Sequence, residues 1–307
     1  MIEIQNLGFS YAGSFAASAG SSAAGSGNSA SSSSEKKKAL WQINLTIPDG
    51  EFLGIIGSSG AGKSTLTYAI NGVIPHCYPG DFYGKIRVNG LDTVETGIDT
   101  LSRQVGSIFQ DIDGQMVAQV VEDEILFGLE NFGIPHDEIE SRLTEALAAA
   151  GIEDLRYREM SSLSGGQKQK AAIAAVIALR PKIILLDEPT GELDPQASRK
   201  IFECLKELNE KHGITIIVVE QKIMLLCEFA KRLAVMDSGR LIREGTVKEV
   251  LQRPDILENA GVNIPRVTTL GNRLREKGIY AGALPRDLSE AQLMVQEILQ
   301  KEELSHA

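Results

Sequence analysis

Nine residues, GSSGAGKST at Gly57–Thr65, follow a short apolar run and open a helical pattern. The spacing G-x-x-x-x-G-K-[ST], set between a strand and a helix, is that of a loop that cradles phosphates. Gly57, Ser58, Ser59, Gly60, Ala61 and Gly62 let backbone N–H groups wrap a β-phosphate at a helix N-terminus. Lys63 then reaches the β- and γ-phosphates. The Ser64 hydroxyl is placed to ligate Mg2+, and Thr65 closes the motif. A second stretch, KIILLDEP, puts Asp187 at the carboxyl end of a continuous apolar strand, where α/β proteins bind ligands. A carboxylate there can hold the Mg2+ shell, and Glu188 beside it can polarise an attacking water. Taken alone, the acidic pair is equally a strand end meeting solvent; beside the phosphate loop the chemical reading dominates. A third stretch, LSGGQKQK at Leu163–Lys170, sets Ser164, Gly165, Gly166 and Gln167 at a helix start, a second anion site. One γ-phosphate is not easily served by both helix starts unless they belong to different subunits.

These residues need elements to hold them. EFLGIIG reads as an apolar strand and KSTLTYAI as the start of a helix. KIRVNG and VGSIFQ read as further strands, and DEIESRLTEALAAAG as a helix ended by Gly151. GGQKQKAAIAAVIAL is apolar on most of its surface, which predicts a buried helix. The unbroken apolar run of KIILLDEP predicts burial on both faces of a parallel sheet. Asp194-Pro195 reads as N-cap and first residue of the helix QASRKIFECLKELNEKHG. A strand follows at Ile214–Val219. RLAVMDSGRLIREG reads as a hairpin turning at Ser-Gly, and TVKE as a capping box. Strands interleaved with helices predict an α/β core. MIEIQNLGFSY and ALWQINLTIP alternate like two strands of one hairpin. The segment 12–34 between them is nearly all Ser, Ala and Gly, with too little apolar surface to order itself, and is expected to be a flexible insertion. From about Gln252 the chain is less apolar and ends in SEAQLMVQEILQKEEL, expected as a Ser-x-x-Gln-capped amphipathic helix. That helix reads equally as a surface helix or as a subunit contact.

Over about residues 1–250 the sequence resembles the ATP-binding cassette (ABC) family. Gly57–Thr65 look like the Walker A loop, Ile183–Glu188 the Walker B strand and Leu163–Gln167 the signature motif. Gln110, ending VGSIFQ, matches the Q-loop glutamine, which the family places near Mg2+. Asp194 in GELD matches the D-loop, with Glu192 unusual where a small residue is common. Tyr11 matches the aromatic that stacks on adenine. The resemblance implies a P-loop NTPase fold with a β-subdomain, a RecA-like core, a helical subdomain and a C-terminal extension over 251–307 with a dimerisation role. It implies an ATPase using ATP and Mg2+, with Ser64, Gln110 and Asp187 at the metal, Asp187 through water. It also implies a head-to-tail dimer, homo- or heterodimeric, in which each nucleotide lies between one subunit's Walker A loop and the signature of the other. That resolves the puzzle of two anion sites.

NGVIPHCYPGDFYGKIRVNGLDT and VEDEILFGLENFGIP, with the C-terminal extension, look like the ATPases of energy-coupling factor (ECF) importers, which take up vitamins or transition-metal ions. This implies a transmembrane coupling subunit, a substrate-capture subunit and a peripheral place on the cytoplasmic face of the cell membrane. The acidic stretch QDIDGQMVAQVVEDEI, with Asp111, Asp113, Glu122, Asp123 and Glu124, is expected to meet arginines of the coupling subunit or else to be a solvated face.

In related cassettes a histidine follows the strand at Ile214–Val219 and contacts the γ-phosphate; here Gln221 stands there. Glutamine donates a hydrogen bond but carries no charge and relays no proton. Two readings follow. In one, the chain pairs with a different cassette, its own site is slow, and its signature serves the partner's site. In the other, it forms a homodimer that hydrolyses through Glu188, with Gln221 orienting phosphate. The first is preferred for Gln221; for the chain as a whole the leading reading is an ATPase that powers a membrane importer, with a weakly hydrolysing, regulatory subunit of a heterodimer as the alternative.

The 307 residues are 43% hydrophobic with a formal net charge of −10. The acidity disfavours nucleic acid as a partner, which calls for a basic face. Cys77, Cys204 and Cys227 are scattered and suggest reduced thiols, with no metal cluster. The N-terminus shows no signal-peptide pattern. The longest apolar run, Ala171–Leu179, is far short of the ~20 residues that span a bilayer.

Overall fold

The computed structural model describes residues 1–12, 38–191 and 193–306. Glu192 and nearly all of the Ser/Ala/Gly run lie outside the described residues. The strands are β1 (Ile2–Tyr11), β2 (Leu40–Ile47), β3 (Phe52–Ile56), β4 (Gly80–Val88), β5 (Leu91–Asp92), β6 (Val105–Ile108), β7 (Ile183–Asp187), β8 (Thr215–Val219), β9 (Arg232–Asp237) and β10 (Arg240–Thr246). Helices α1 (Lys63–Ile70), α2 (Val73–His76) and α3 (Ile98–Ser102) come first. Then come α4 (Val121–Asn131), α5 (His136–Ala150) and α6 (Gly165–Ala178), followed by α7 (Pro195–His212) and α8 (Ile223–Phe229). The chain closes with α9 (Val247–Leu251), α10 (Pro254–Asn259), α11 (Arg266–Glu276) and α12 (Leu288–His306).

An antiparallel sheet of order β2-β1-β4-β5 is built by the expected hairpin. Ile2 pairs with Ile47 and Ile4 with Leu45, so the alternating apolar residues share one face. β4 begins at Gly80, several residues before KIRV suggests, because its first half pairs with the far half of β1, Phe9 opposite Phe82. Pairing with a distant partner supplied order that the local sequence does not advertise.

The second sheet runs β10-β9-β3-β8-β7-β6, parallel throughout except for the β9–β10 hairpin. Its buried strands split their side chains between two cores by alternation. Ile184, Leu186, Ile216 and Val218 pack with Phe202 and Leu205 of α7 on one face. Ile183, Leu185, Ile217 and Val219 pack with Leu66 and Ile70 of α1 and with the antiparallel sheet on the other. The loops after β3 and β7, which carry Gly57–Gly62 and Glu188, lie at the carboxyl ends of the parallel strands.

Helices α4, α5 and α6 make a third layer with its own core of Val121, Ile125, Leu143, Leu147 and Ala174. Gly151 ends α5 at φ 62, and Gly213 ends α7 at φ 66, as left-handed caps require. The Thr246/Glu249 capping box opens α9 as expected. The last helix departs from expectation. Its start is held by Asp287, whose Oδ1 accepts the Glu290 N–H at 2.9 Å, and not by Ser289. A carboxylate is the better acceptor beside a helix N-terminus, and it sits two residues earlier. In the tail, Leu257, Ala260 and Val262 join the core under α7 and α8. Leu288 and Leu293 of α12 are exposed.

Candidate nucleotide site

β3 delivers Gly57 and α1 starts at Lys63, so the loop between them lies at the carboxyl edge of the parallel sheet. Two of its glycines are obligatory. A Cβ on Gly57 would stand 2.2 Å from the Met236 carbonyl oxygen, and one on Gly62, at φ 96, 2.6 Å from that of Ala39. The loop is closed on itself by Ala61 N–H donating to Ser58 O (3.2 Å) and pinned from outside at two points, by Gly239 N–H to Ala61 O (3.0 Å) and Ser58 N–H to Ala260 O (3.2 Å).

The Lys63 ammonium donates to the carbonyls of Gly57 and Ser58, both at 2.9 Å, which holds its charge at the loop. Burial draws its pKa below the ordinary lysine value, while Glu188 and Asp187 pull the other way. Asp187 ends β7 and is 5% exposed. Burial pushes its pKa up, opposed by the Ser64 hydroxyl and seconded by the charge of Glu188. Its Oδ1 is buried with no hydrogen-bond partner. An orphaned carboxylate oxygen beside a serine hydroxyl is the donor set a hard divalent cation takes, so Ser64 and Asp187 fit Mg2+. Among the described residues no cluster of three His, Cys, Asp or Glu forms a separate metal site.

Glu188 lies on the turn after β7 with a left-handed backbone, φ 50. Strain of that kind in a non-glycine residue is held by its surroundings. Its N–H donates to Val219 O (2.9 Å), and its Oε1 accepts the Gln221 Nε2–H at 2.7 Å. Gln221 therefore reaches the carboxylate itself, a contact not foreseen from the sequence.

Tyr11, Ser64, Gln110, Asp187 and Glu188 line one cavity of about 820 Å3, with Gly165 at its far side. Ser164, Gly166, Gln167 and Asp194 line another, of about 370 Å3. Gly165 at the start of α6 thus shares the first cavity with Ser64 of α1, while the Ser164 and Gln167 side of that helix start opens on the second. Ser164 caps α6 in a reciprocal box: its Oγ accepts the Gln167 N–H, and Gln167 Oε1 accepts the Ser164 N–H. Asp194 Oδ1 caps α7 from Gln196 and Ala197 N–H. The starts of α6 and α7 pack closely, since Cβ atoms on Gly165 and Gly166 would stand 3.2 Å from Leu193 and Ala197.

Tyr11 and the acidic stretch sit otherwise than the sequence suggests. Tyr11 is buried, its hydroxyl 3.1 Å from Thr65 Oγ1 and its ring edge-on to Phe9 and Tyr78. The ring is not presented as an open stacking platform. The acidic stretch is largely engaged within the chain: Glu122 pairs with Arg156 and Asp113 with Lys168, while Glu124 Oε2 accepts the N–H groups of Val117 and Ala118. Arg156 also binds Glu140. A guanidinium left inside the fold claims a carboxylate before any partner can. Nothing in the sequence singles out Thr190 or Lys222, whereas Glu220 stands where the apolar run Ile214–Val219 ends.

Comparison with known proteins decides the family. A family model described as ABC transporter matches residues 40–191. An energy-coupling factor transporter ATP-binding protein, EcfA1 of Clostridium novyi, is 40% identical over 246 residues, covering 80% of this chain and 86% of the relative. The chain belongs to the ABC transporter ATPase family. As an ABC ATPase it binds and hydrolyses ATP. A structure of cbiO1 from Clostridium perfringens, part of the ABC transporter complex cbiONQ, superposes with a TM-score of 0.68 at 32% identity, covering 88% of this chain and 97% of that one. The dimeric cassette MJ0796 bound to ADP and Pi superposes at 0.64 with 28% identity, covering 80% and 99%. Among the described residues of this ABC ATPase, no helix is long and apolar enough to cross a membrane.

Proposed function

We propose that this ABC ATPase is the ATP-hydrolysing subunit of an ECF-type importer for a vitamin or metal ion. It works as a head-to-tail pair with a second cassette, peripheral to the cytoplasmic face of the membrane, beneath a transmembrane coupling subunit and a substrate-capture subunit. The observation that supports the pairing is that Ser164, Gly166 and Gln167 line a cavity apart from the one that holds Ser64, Asp187 and Glu188. The identity with EcfA1 supports the transport system. In this reading the Gly57–Gly62 amides and Lys63 bind the β- and γ-phosphates, with Ser64 and Thr65 at the start of α1. Ser64 and Asp187 would hold Mg2+, with Gln110 beside it, and the ion would supply charge neutralisation at the phosphates when bound. Glu188 takes a proton from the attacking water, Asp194 borders the neighbouring subunit, and Ser164–Gln167 of that neighbour close over the γ-phosphate. Tyr11 reaches adenine only by leaving its bond to Thr65.

Tagged chain recovered from its native membranes in mild detergent should bring down a polytopic membrane protein and a cassette in fixed stoichiometry. Recovery of the chain as a lone species by mass spectrometry and size-exclusion chromatography would overturn the assignment.

A weakly hydrolysing, regulatory subunit of a heterodimer is the second reading, favoured by the 2.7 Å Gln221–Glu188 bond. A neutral amide there occupies an acceptor that the attacking water needs. It also lacks the charge that in related sites is worth on the order of 2–4 kcal/mol to the transition state. Gln221→His is expected to raise ATP turnover at least about tenfold; an unchanged rate removes this reading.

A further inference from the structure

Three consecutive residues after β8 grip the turn that follows β7. The Thr190 hydroxyl donates to Glu220 Oε1, with both side chains essentially sealed from solvent, Thr190 at 0% and Glu220 at 1% exposure. The second carboxyl oxygen of Glu220 accepts the Gln221 N–H at 3.3 Å. Lys222 Nζ reaches across to the carbonyls of Thr190 (2.7 Å) and Leu193 (3.4 Å). The gripped turn has Glu188 at one end, in its left-handed backbone, and Asp194 at the other, capping α7.

We propose that Glu220, Thr190 and Lys222 are positioning residues that fix the turn after β7 at Thr190 and Leu193, so that the carboxylates of Glu188 and Asp194 are set by the end of β8. The inference rests on the reading of Glu188 as the group that activates water.

The choice of side chains supports a positioning role. A carboxyl group buried this deeply is costly unless its oxygens are bonded, and an apolar residue would fill the same space more cheaply. Here each oxygen is bonded, and each bond lands on the turn or on Gln221. Burial pushes the Glu220 pKa up, and its bond with Thr190 opposes that shift. Lys222 spends its ammonium on two backbone carbonyls within one turn, which fixes the path of the backbone, and it makes no ion pair among the described residues. Two chemically different clasps therefore hold one short segment at its second and fifth positions, Thr190 and Leu193 counted from Pro189. An error of about 1 Å in the placement of a reacting group can cost on the order of a hundredfold in rate.

The test uses the full chain with its second cassette and reads kcat and KM for MgATP. Thr190→Val and Lys222→Met should each lower kcat about tenfold or more while KM stays within about twofold, since neither group touches nucleotide. Thr190→Ser and Lys222→Arg, which keep the donors, should restore most of the rate. Unchanged kcat in both disruptive variants overturns the proposal. So does a fall that the conservative variants fail to rescue or that comes with a parallel rise in KM. If Lys222→Met does not fold, the Thr190 pair alone decides. Glu188→Gln runs alongside: full activity there brings down the Glu188 reading and this inference with it, whereas an inactive Glu188→Gln beside fully active Thr190→Val and Lys222→Met brings down this inference alone.

Discussion

Glu188→Gln leaves ATP bound and stops its hydrolysis. The substitution keeps the shape of the side chain, and the amide oxygen can still accept the Gln221 Nε2–H that now lies 2.7 Å from the carboxylate. What is lost is the ability to take a proton from water, a contribution of roughly 10²–10⁴ in rate. Binding should hold, because the charge of Glu188 pushes the buried Asp187 carboxyl upward in pKa, against the ionised form that Mg2+ needs. Phosphate release measured against equilibrium binding of labelled ATP separates the two effects. Hydrolysis at the parent rate would remove Glu188 from the mechanism.

Lys63→Met is the second large effect, and it falls on binding. The ammonium is 5% exposed and held by the Gly57 and Ser58 carbonyls, so it is organised before any phosphate arrives. A charge-assisted bond to phosphate made from such a site contributes about 1.5–3 kcal/mol, or roughly ten- to a hundredfold in Kd. The fold itself should tolerate the change, since methionine fills the same channel and removes the cost of burying a cation. Thermal unfolding with rising MgATP checks both statements. The parent gains stability as ligand exceeds Kd, and the variant should need at least about tenfold more ATP for the same gain. Equal ATP dependence of the two proteins would rule Lys63 out as a phosphate ligand.

Much of this site is written in local sequence. Glycine spacing at Gly57–Gly62, an apolar run ending at Asp187 and a serine before Gly165 each state a backbone conformation and a helix start, which are short-range properties. The opening hairpin, the buried parallel strands, the Asp194 cap and the Thr246 capping box are legible for the same reason. The remainder depends on contacts between residues far apart in the chain. The early start of β4 is dictated by β1, seventy residues away in sequence. The claim of Arg156 on Glu122 spans 34 residues, and that of Gln221 on Glu188 spans 33. Tyr11 is turned inward by Thr65, at a separation of 54. No periodicity announces such pairs, because each member alone looks like an ordinary surface polar residue.

The Ser58 amide and the Ala260 carbonyl tie the nucleotide loop to the tail, while Leu257 and Val262 root the same segment in the main core. A polypeptide trimmed at the end of α9 would therefore keep every motif and lose a splint: an amide of the loop would turn to solvent, and the floor under α8 would thin. Residues 254–262 act as a keystone course, laid after every motif yet bearing on the arch that receives the nucleotide.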